Sequence, residues 1–322
     1  MVENCSQTLT TESSVVLASF NGFSGISTTV GNSIILLTLY KTPTLQTVSN
    51  YFVGSLACAD LFVGLFANSL YVALSGFVSL QEIQELKNAE TFIWLFTTTI
   101  TTFSLCFVAI DRYVAIIRPL LYPQIMTRNR SFLATICIWI FAVLFAAISF
   151  CLPYNDLPKL WIIGSFVTFF LPLGVLVFCY CRIYLAAKEQ NSRWKTRQPT
   201  FDGSTRSVDE LKNTKAALTF AIITGLFAAL FLPTLAVNFV GIALQRHCHR
   251  IWLNIAWFWA AALSYTSSTI NPWIYAIRMA NFKKALRQLL SKTPNSKSKI
   301  KPNNVLPRLR AFRRVCIPRE FK

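Results

Sequence analysis

Charged and apolar positions divide the chain into seven long stretches almost free of charge. They lie between Glu12 and Lys41, Lys41 and Glu82, Glu90 and Asp111, Arg130 and Asp156, Lys159 and Arg182, Lys215 and Arg246, and Arg250 and Arg278. Each exceeds the roughly 18 apolar residues that mark a membrane-crossing helix. Backbone groups in lipid must be satisfied internally, and the stretches lack the period-two alternation of barrel strands. The pattern predicts an all-α membrane protein, a seven-transmembrane helix bundle. Within a domain at 15–290, spans are expected at about 15–40, 49–76, 90–114, 131–152, 160–187, 214–244 and 251–277. Phe282, Leu286 and Leu289 recur at helical spacing among Lys283, Lys284 and Arg287, which predicts a short amphipathic helix at 281–290 on the membrane surface. Residues 1–14 read as an extracellular segment and 291–322 as a basic cytoplasmic tail.

Charge orients these elements. With the N-terminus outside, only Lys87, Lys159, Arg246 and Arg250 fall on the far side, and the rest of the 31 Lys and Arg sit in or beside cytoplasmic loops and tail. That is the positive-inside asymmetry, and it implies a multi-pass membrane protein with its N-terminus outside. The net charge of +18 is therefore a topology signal, and without a soluble basic domain it does not indicate nucleic-acid binding. Only 14% of residues are charged, against about 25% in soluble domains. Met1 to Val15 lacks the basic start and apolar core of a cleavable signal, so the first span is expected to anchor itself. Asn4-Cys5-Ser6 is a glycosylation sequon on the expected outer face. Cys58, Cys106, Cys137, Cys179 and Cys181 lie within spans and read as packing residues. Cys5, Cys151 and Cys248 face the oxidising side, where three thiols allow at most one bridge within the chain.

Candidate chemistry lies inside the spans. Asp60 is the one ionisable side chain deep in any of them, and a carboxylate there is either protonated or bound to a cation. The third span ends in Asp111-Arg112-Tyr113, an acid–base pair that needs partners at that depth. Pro172, Pro233 and Pro272 each remove a backbone hydrogen bond and read as hinges.

Taken in order, Asn32, Leu56 to Asp60, the Asp111-Arg112-Tyr113 triplet, Trp139, Pro172 with Tyr180, Phe227 with Pro233, and Asn271-Pro272-Trp273-Ile274-Tyr275 resemble the rhodopsin-like (class A) G-protein-coupled receptors. The resemblance covers all seven spans and the surface helix. The region around Lys87 lacks the Cys that members of this family usually carry there, and the loop from Cys151 to Pro158 is short. In these features the chain resembles the melanocortin, cannabinoid and lysophospholipid receptors, and Thr98, Asn238 and Ser264 sit where adenosine receptors have the same residue types.

The resemblance implies a receptor that binds a small extracellular ligand and activates a heterotrimeric G protein, with arrestin and receptor kinases as further partners. Asp111, Arg112, Tyr113, Tyr180, Phe227, Phe231, Pro233, Asn271, Pro272 and Tyr275 would form the coupling and activation switch, with Phe231 where the family usually has Trp. The acid that often holds the arginine from the sixth helix is replaced near Asn213, with Glu210 a turn earlier. This implies a weakened lock and basal signalling. Asp60, Thr101, Ser268 and Asn271 match the family's sodium pocket and supply the oxygen ligands a hard cation favours. No cofactor is otherwise required.

Glu90, Trp94, Thr98, Thr234, Asn238, Trp257, Ser264 and Tyr265 are the candidate ligand residues. Trp94 stands where amine receptors place an Asp, so an ordinary monoamine is not expected. An aromatic pocket with few charges suits a small, mostly neutral or lipid-like ligand. Glu90 reads equally as a solvated charge at a loop end. Among rival classes, a transporter or channel remains the alternative, although no inverted repeat is visible. No Lys lies between Lys215 and Lys283 to form a retinal Schiff base, and no nucleophile–base pair suggests an enzyme. His247, Cys248 and His249 are adjacent loop residues and make a poor zinc site.

Overall fold

The computed structural model describes residues 9–152, 157–196, 204–243 and 247–291, and among these there is no strand. The calls at Asn4, Cys5, the tail beyond 291 and the centre of the 151–158 loop lie outside the described residues, as do the side chains of Glu210, Asn213 and Cys248.

Eight helices carry the architecture. α1 spans Thr11–Lys41, and α2 runs Val48–Phe62 and Asn68–Gly76 around a wide turn at Val63–Ala67. α3 is Gln84–Ile117 and α4 is Arg128–Cys151. α5 runs Leu157–Ser165 and Leu171–Thr196 around a second wide turn at Phe166–Phe170. α6 is Ser204–Ala243, α7 is His247–Arg278 and α8 is Ala280–Ser291. Threonines start two of them: the Thr10 hydroxyl accepts from the Ser13 amide at the head of α1, and Thr127 accepts from Arg130 at the head of α4.

Burial separates the core helix from the lipid-facing ones. In its apolar central stretch α3 is 78% buried, against 28% for α4. α3 packs against α2, α4, α5 and α6 and forms the axis of the bundle. α4 instead turns Leu133, Ile140, Phe141 and Leu144 outward, as a lipid-facing surface should. Six of the helices, α1 to α6, are long and apolar enough to cross a membrane by length and composition. α7 is as long, but its polar run Ser264–Asn271 lowers its hydropathy. Ser264, Ser267, Ser268 and Asn271 from that run are buried inside the bundle.

Three findings modify the expected kinks and faces. α6 and α7 continue through Pro233 and Pro272 without a break. The helical irregularities are instead the two wide turns, where the amides of Asn68 and Leu171 reach carbonyls five residues back, at Val63 and Phe166. Glycines let α1 close on the first of these: a Cβ on Gly64 would stand 2.6 Å from the Thr29 hydroxyl and 3.0 Å from the Gly25 carbonyl. On α8, Phe282 is buried against Tyr275 with ring centroids 5.9 Å apart, so the foremost residue of the apolar stripe docks on the bundle.

Candidate functional site

At one end of the bundle, the last turns of α3 hold Asp111 and Arg112, both buried. Arg112 Nε donates to Asp111 Oδ2 at 2.9 Å, and its terminal nitrogen reaches both that oxygen and Ser49 Oγ. Ser49 in turn donates to Asp111 Oδ2 at 2.6 Å from the first turn of α2. Tyr122, in the one-turn helix Tyr122–Ile125, donates to Asp111 Oδ1 at 2.9 Å. Both carboxylate oxygens are thus occupied and the guanidinium has its counter-ion, the arrangement a buried ion pair needs. Burial, then the adjoining Asp111 charge, raises the Tyr122 phenol above its ordinary range and keeps it a donor. Tyr113 points away, its ring 5.8 Å from Phe178 of α5. The hydroxyls of Tyr180 and Tyr275 are enclosed near this end with no hydrogen-bond partner.

Midway along the bundle, Asp60 is fully buried. Its Oδ2 accepts from Asn271 Nδ2 at 2.9 Å, while Oδ1 has no hydrogen-bond partner among the described residues. Asn32 Nδ2 donates to the Ser268 carbonyl at 3.2 Å and leaves its own Oδ1 unpaired, so α1, α2 and α7 converge on one polar layer. An enclosed carboxylate oxygen without a donor fits a cation site built from oxygen ligands. A small cavity begins beside this layer at Thr101 and Ser268 and continues outward past Thr98 to Trp94, Phe231 and Tyr265. Thr101 and Ser268 of the sequence-predicted sodium set thus line one cavity with Trp94, Thr98, Ser264 and Tyr265 of the ligand set, while Asp60, Asn271, Glu90, Thr234, Asn238 and Trp257 do not line it.

Trp94 is the hub of the outer half. Its ring lies 5.0 Å from Trp257, 5.3 Å from Tyr265, 6.4 Å from Trp161 and 5.4 Å from Phe231, the last nearly parallel. Phe231 also stacks on Phe169 and on Phe227, so an unbroken aromatic column runs from the pocket into α6 above Pro233. Thr234 donates back to the Phe231 carbonyl within its own helix, and Ser264 ties α7 to the Leu230 carbonyl of α6 at 2.9 Å. Asn238 is half-buried and takes no part in these contacts among the described residues.

Glu90 is not a loop-end charge. α3 begins at Gln84, two turns earlier than the charge pattern suggested, and Glu90 faces inward from the helix. Its Oε1 accepts from Tyr71 Oη at 2.5 Å and from Trp257 Nε1 at 2.7 Å. Ser49, Tyr122, Tyr71 and Trp161 were all missed by sequence reasoning. Trp161 alone carried a usable signal, an indole at the outer end of a span. Cys106, Cys137, Cys151, Cys179 and Cys181 are free thiols, so Cys151 is not bridged.

Comparison with known proteins agrees with this geometry. Residues 31–275 match the model of the 7 transmembrane receptor (rhodopsin family). The chain is 27% identical to the alpha-1A adrenergic receptor of Oryzias latipes, over 89% of this chain and 70% of that receptor. It is 30% identical to the human adenosine receptor A2a, over 81% of this chain and 68% of that receptor. It is 26% identical to the human trace amine-associated receptor 9, over 86% and 84% of the two chains. These matches leave the transporter or channel reading without support, and they place the chain among receptors and not enzymes. The protein belongs to the rhodopsin family of seven-transmembrane receptors and is a multi-pass G-protein-coupled receptor.

Proposed function

We propose that a small ligand enters from the extracellular side, with the N-terminus outside the plasma membrane, and settles against Trp94, Trp161, Trp257 and Tyr265. The apolar rings suit a ligand body that is mostly neutral and lipid-like. The observation that carries the reading is the stack Trp94–Phe231–Phe227, which connects the pocket to α6 beside Pro233. A ligand displacing Trp94 would press on Phe231 and bias α6, the helix whose movement would uncover the arginine end. There Arg112 would leave Asp111 and Ser49 for the G protein, with the unpaired hydroxyls of Tyr180 and Tyr275 gaining partners in the opened state. Differential contacts of this kind are what allow a ligand to shift a two-state equilibrium.

Sodium is the allosteric ion in this scheme, held by Asp60 with Thr101, Ser268 and Asn271. The unpartnered Oδ1 of Asp60 supports the assignment. Arrestin and receptor kinases act on the same cytoplasmic face, Asn4 carries a glycan, and the basic tail meets anionic lipid. The test compares ligand-free second-messenger output of the native receptor and Arg112→Ala at matched surface expression. A basal signal that the substitution removes is the expected result. Equal output from both, above that of mock-transfected cells, would refute coupling through Arg112.

A further inference from the structure

The carboxylate of Glu90 has a donor set unlike that of an acid paired within its own chain. Both of its bonds come from neutral groups, the Tyr71 phenol and the Trp257 indole, and both fall on Oε1. An indole N–H only donates, so Oε1 is the acceptor of that bond, and the Tyr71 hydroxyl lies 2.5 Å from the same oxygen. Oε2 receives no hydrogen bond among the described residues, and the side chain is only half-buried. No described cation lies within ion-pairing distance of it. One turn inward on α3 stands Trp94, and Trp257 lies 5.0 Å from Trp94 and 4.9 Å from Trp161. A carboxylate with an open oxygen thus adjoins the Trp257 indole, which packs on two further indoles, and indoles are the side chains whose faces attract a cation best.

We infer that Glu90 is the anionic anchor of this pocket and takes the ammonium group of a cationic ligand whose apolar body lies on Trp94, Trp161 and Trp257. The inference rests on the reading of the Trp94 cavity as the ligand pocket, and extends that pocket to Glu90, Trp161 and Trp257, which lie beside the cavity without lining it. It moves the counter-charge one turn outward from Trp94, the place where amine receptors carry an Asp. It also amends the mostly neutral ligand in one respect, since the body stays apolar while one end is charged. Tyr71 and Trp257 hold the carboxylate in place, so they are positioning residues, and the open oxygen is the contact.

The test uses the purified full chain in detergent, with the thermal unfolding midpoint followed against concentration. The probes are 2-phenylethylamine and tryptamine, beside their uncharged counterparts 2-phenylethanol and tryptophol. Glu90→Gln keeps a carbonyl to accept from Tyr71 and Trp257, so the fold is retained while the charge is lost. The amines are expected to half-saturate native receptor at about tenfold lower concentration than the alcohols, as a charge-assisted bond implies. Glu90→Gln is expected to erase that preference and leave the alcohols unchanged, while Trp94→Ala weakens both kinds. Equal half-saturation of amines and alcohols, or a preference that survives Glu90→Gln, overturns the assignment. If the alcohols still depend on Trp94 in that case, the pocket stands and only the role of Glu90 falls. Failure of all four probes to bind native receptor overturns both.

Discussion

The two ends of α3 each carry an acid, and the two acids are satisfied in opposite ways. Asp111 has a guanidinium from its neighbour Arg112 and donors from Ser49 and Tyr122 on both of its oxygens. Glu90 has two neutral donors on one oxygen and none on the other. The first acid is closed on the chain itself, so in the proposed mechanism its charge stabilises the resting arrangement that Arg112 would leave. The second is held in place without being neutralised, so its charge remains available to something outside the chain. The same side-chain chemistry serves as a lock at one end and as a binding group at the other.

The sharpest way to break this comparison is to convert each acid to its amide. Asp111→Asn leaves Arg112 buried without a counter-ion, at a cost of about 3–5 kcal/mol to the closed state. The expected outcome is a large fall in thermal midpoint together with raised ligand-free signalling. Glu90→Gln removes a charge that no described cation contacts within ion-pairing distance, and the ligand-free midpoint should move far less. Equal losses at the two positions would show that Glu90 is also a structural acid.

Asp60 lies between the ends and is intermediate in kind, with one oxygen paired to Asn271 and the other open but enclosed. Its expected outside partner is a sodium ion. At sodium concentrations 100-fold above the dissociation constant, binding to the folded state alone stabilises by about 2.7 kcal/mol. Native receptor should therefore unfold at a higher temperature in sodium than in choline chloride, and Asp60→Asn should abolish the difference. A sodium effect that persists in the variant would place the ion elsewhere.

Removing a donor from Glu90 should have a smaller effect. Tyr71→Phe keeps the ring contacts with Phe258 and Tyr265 but deletes the hydroxyl, at a cost of about 2 kcal/mol for a bond to an ionised group. Amine affinity should fall along with stability, because the carboxylate loses its orientation. If affinity is unchanged while the midpoint drops, Tyr71 braces the helices without positioning Glu90.

What was legible in the chain follows from the range of each signal. The spans were visible because a gap between charges is local, and Asp111, Arg112, Asn271 and Pro272 because each sits in a short ordered string. α7 shows the limit of hydropathy, since its inward polar run conceals a spanning helix that its residue pattern identifies. Ser49 and Tyr122 were missed because they meet Asp111 across 62 and 11 residues of chain. Trp257 reaches Glu90 across 167 residues, a contact that no periodicity records. The wide turns in α2 and α5 shift the backbone bond by one residue and leave composition unaltered. Glu90 was misplaced for a further reason. A charge was used to mark the end of a span, while the helix continues outward through the polar residues Gln84 to Asn88.

The smallest predicted effect concerns the clasp on the lock. Tyr122→Phe removes the single donor to Asp111 Oδ1, from a one-turn helix at the edge of the bundle, and should cost about 1 kcal/mol. The pH dependence separates this bond from other causes. Burial and the Asp111 charge raise the phenol above its ordinary range, and a group raised on folding contributes stability that is complete below its unfolded value. That contribution is lost only as pH climbs through the higher folded value. The unfolded phenol titrates at about 10, so the gap between native and Tyr122→Phe should be constant from about pH 6 to 9. Thermal midpoints of both proteins across that range check it. A gap that narrows towards pH 9 would mean the phenol is not shielded by the fold, and Asp111 would then be held by Ser49 and Arg112 alone.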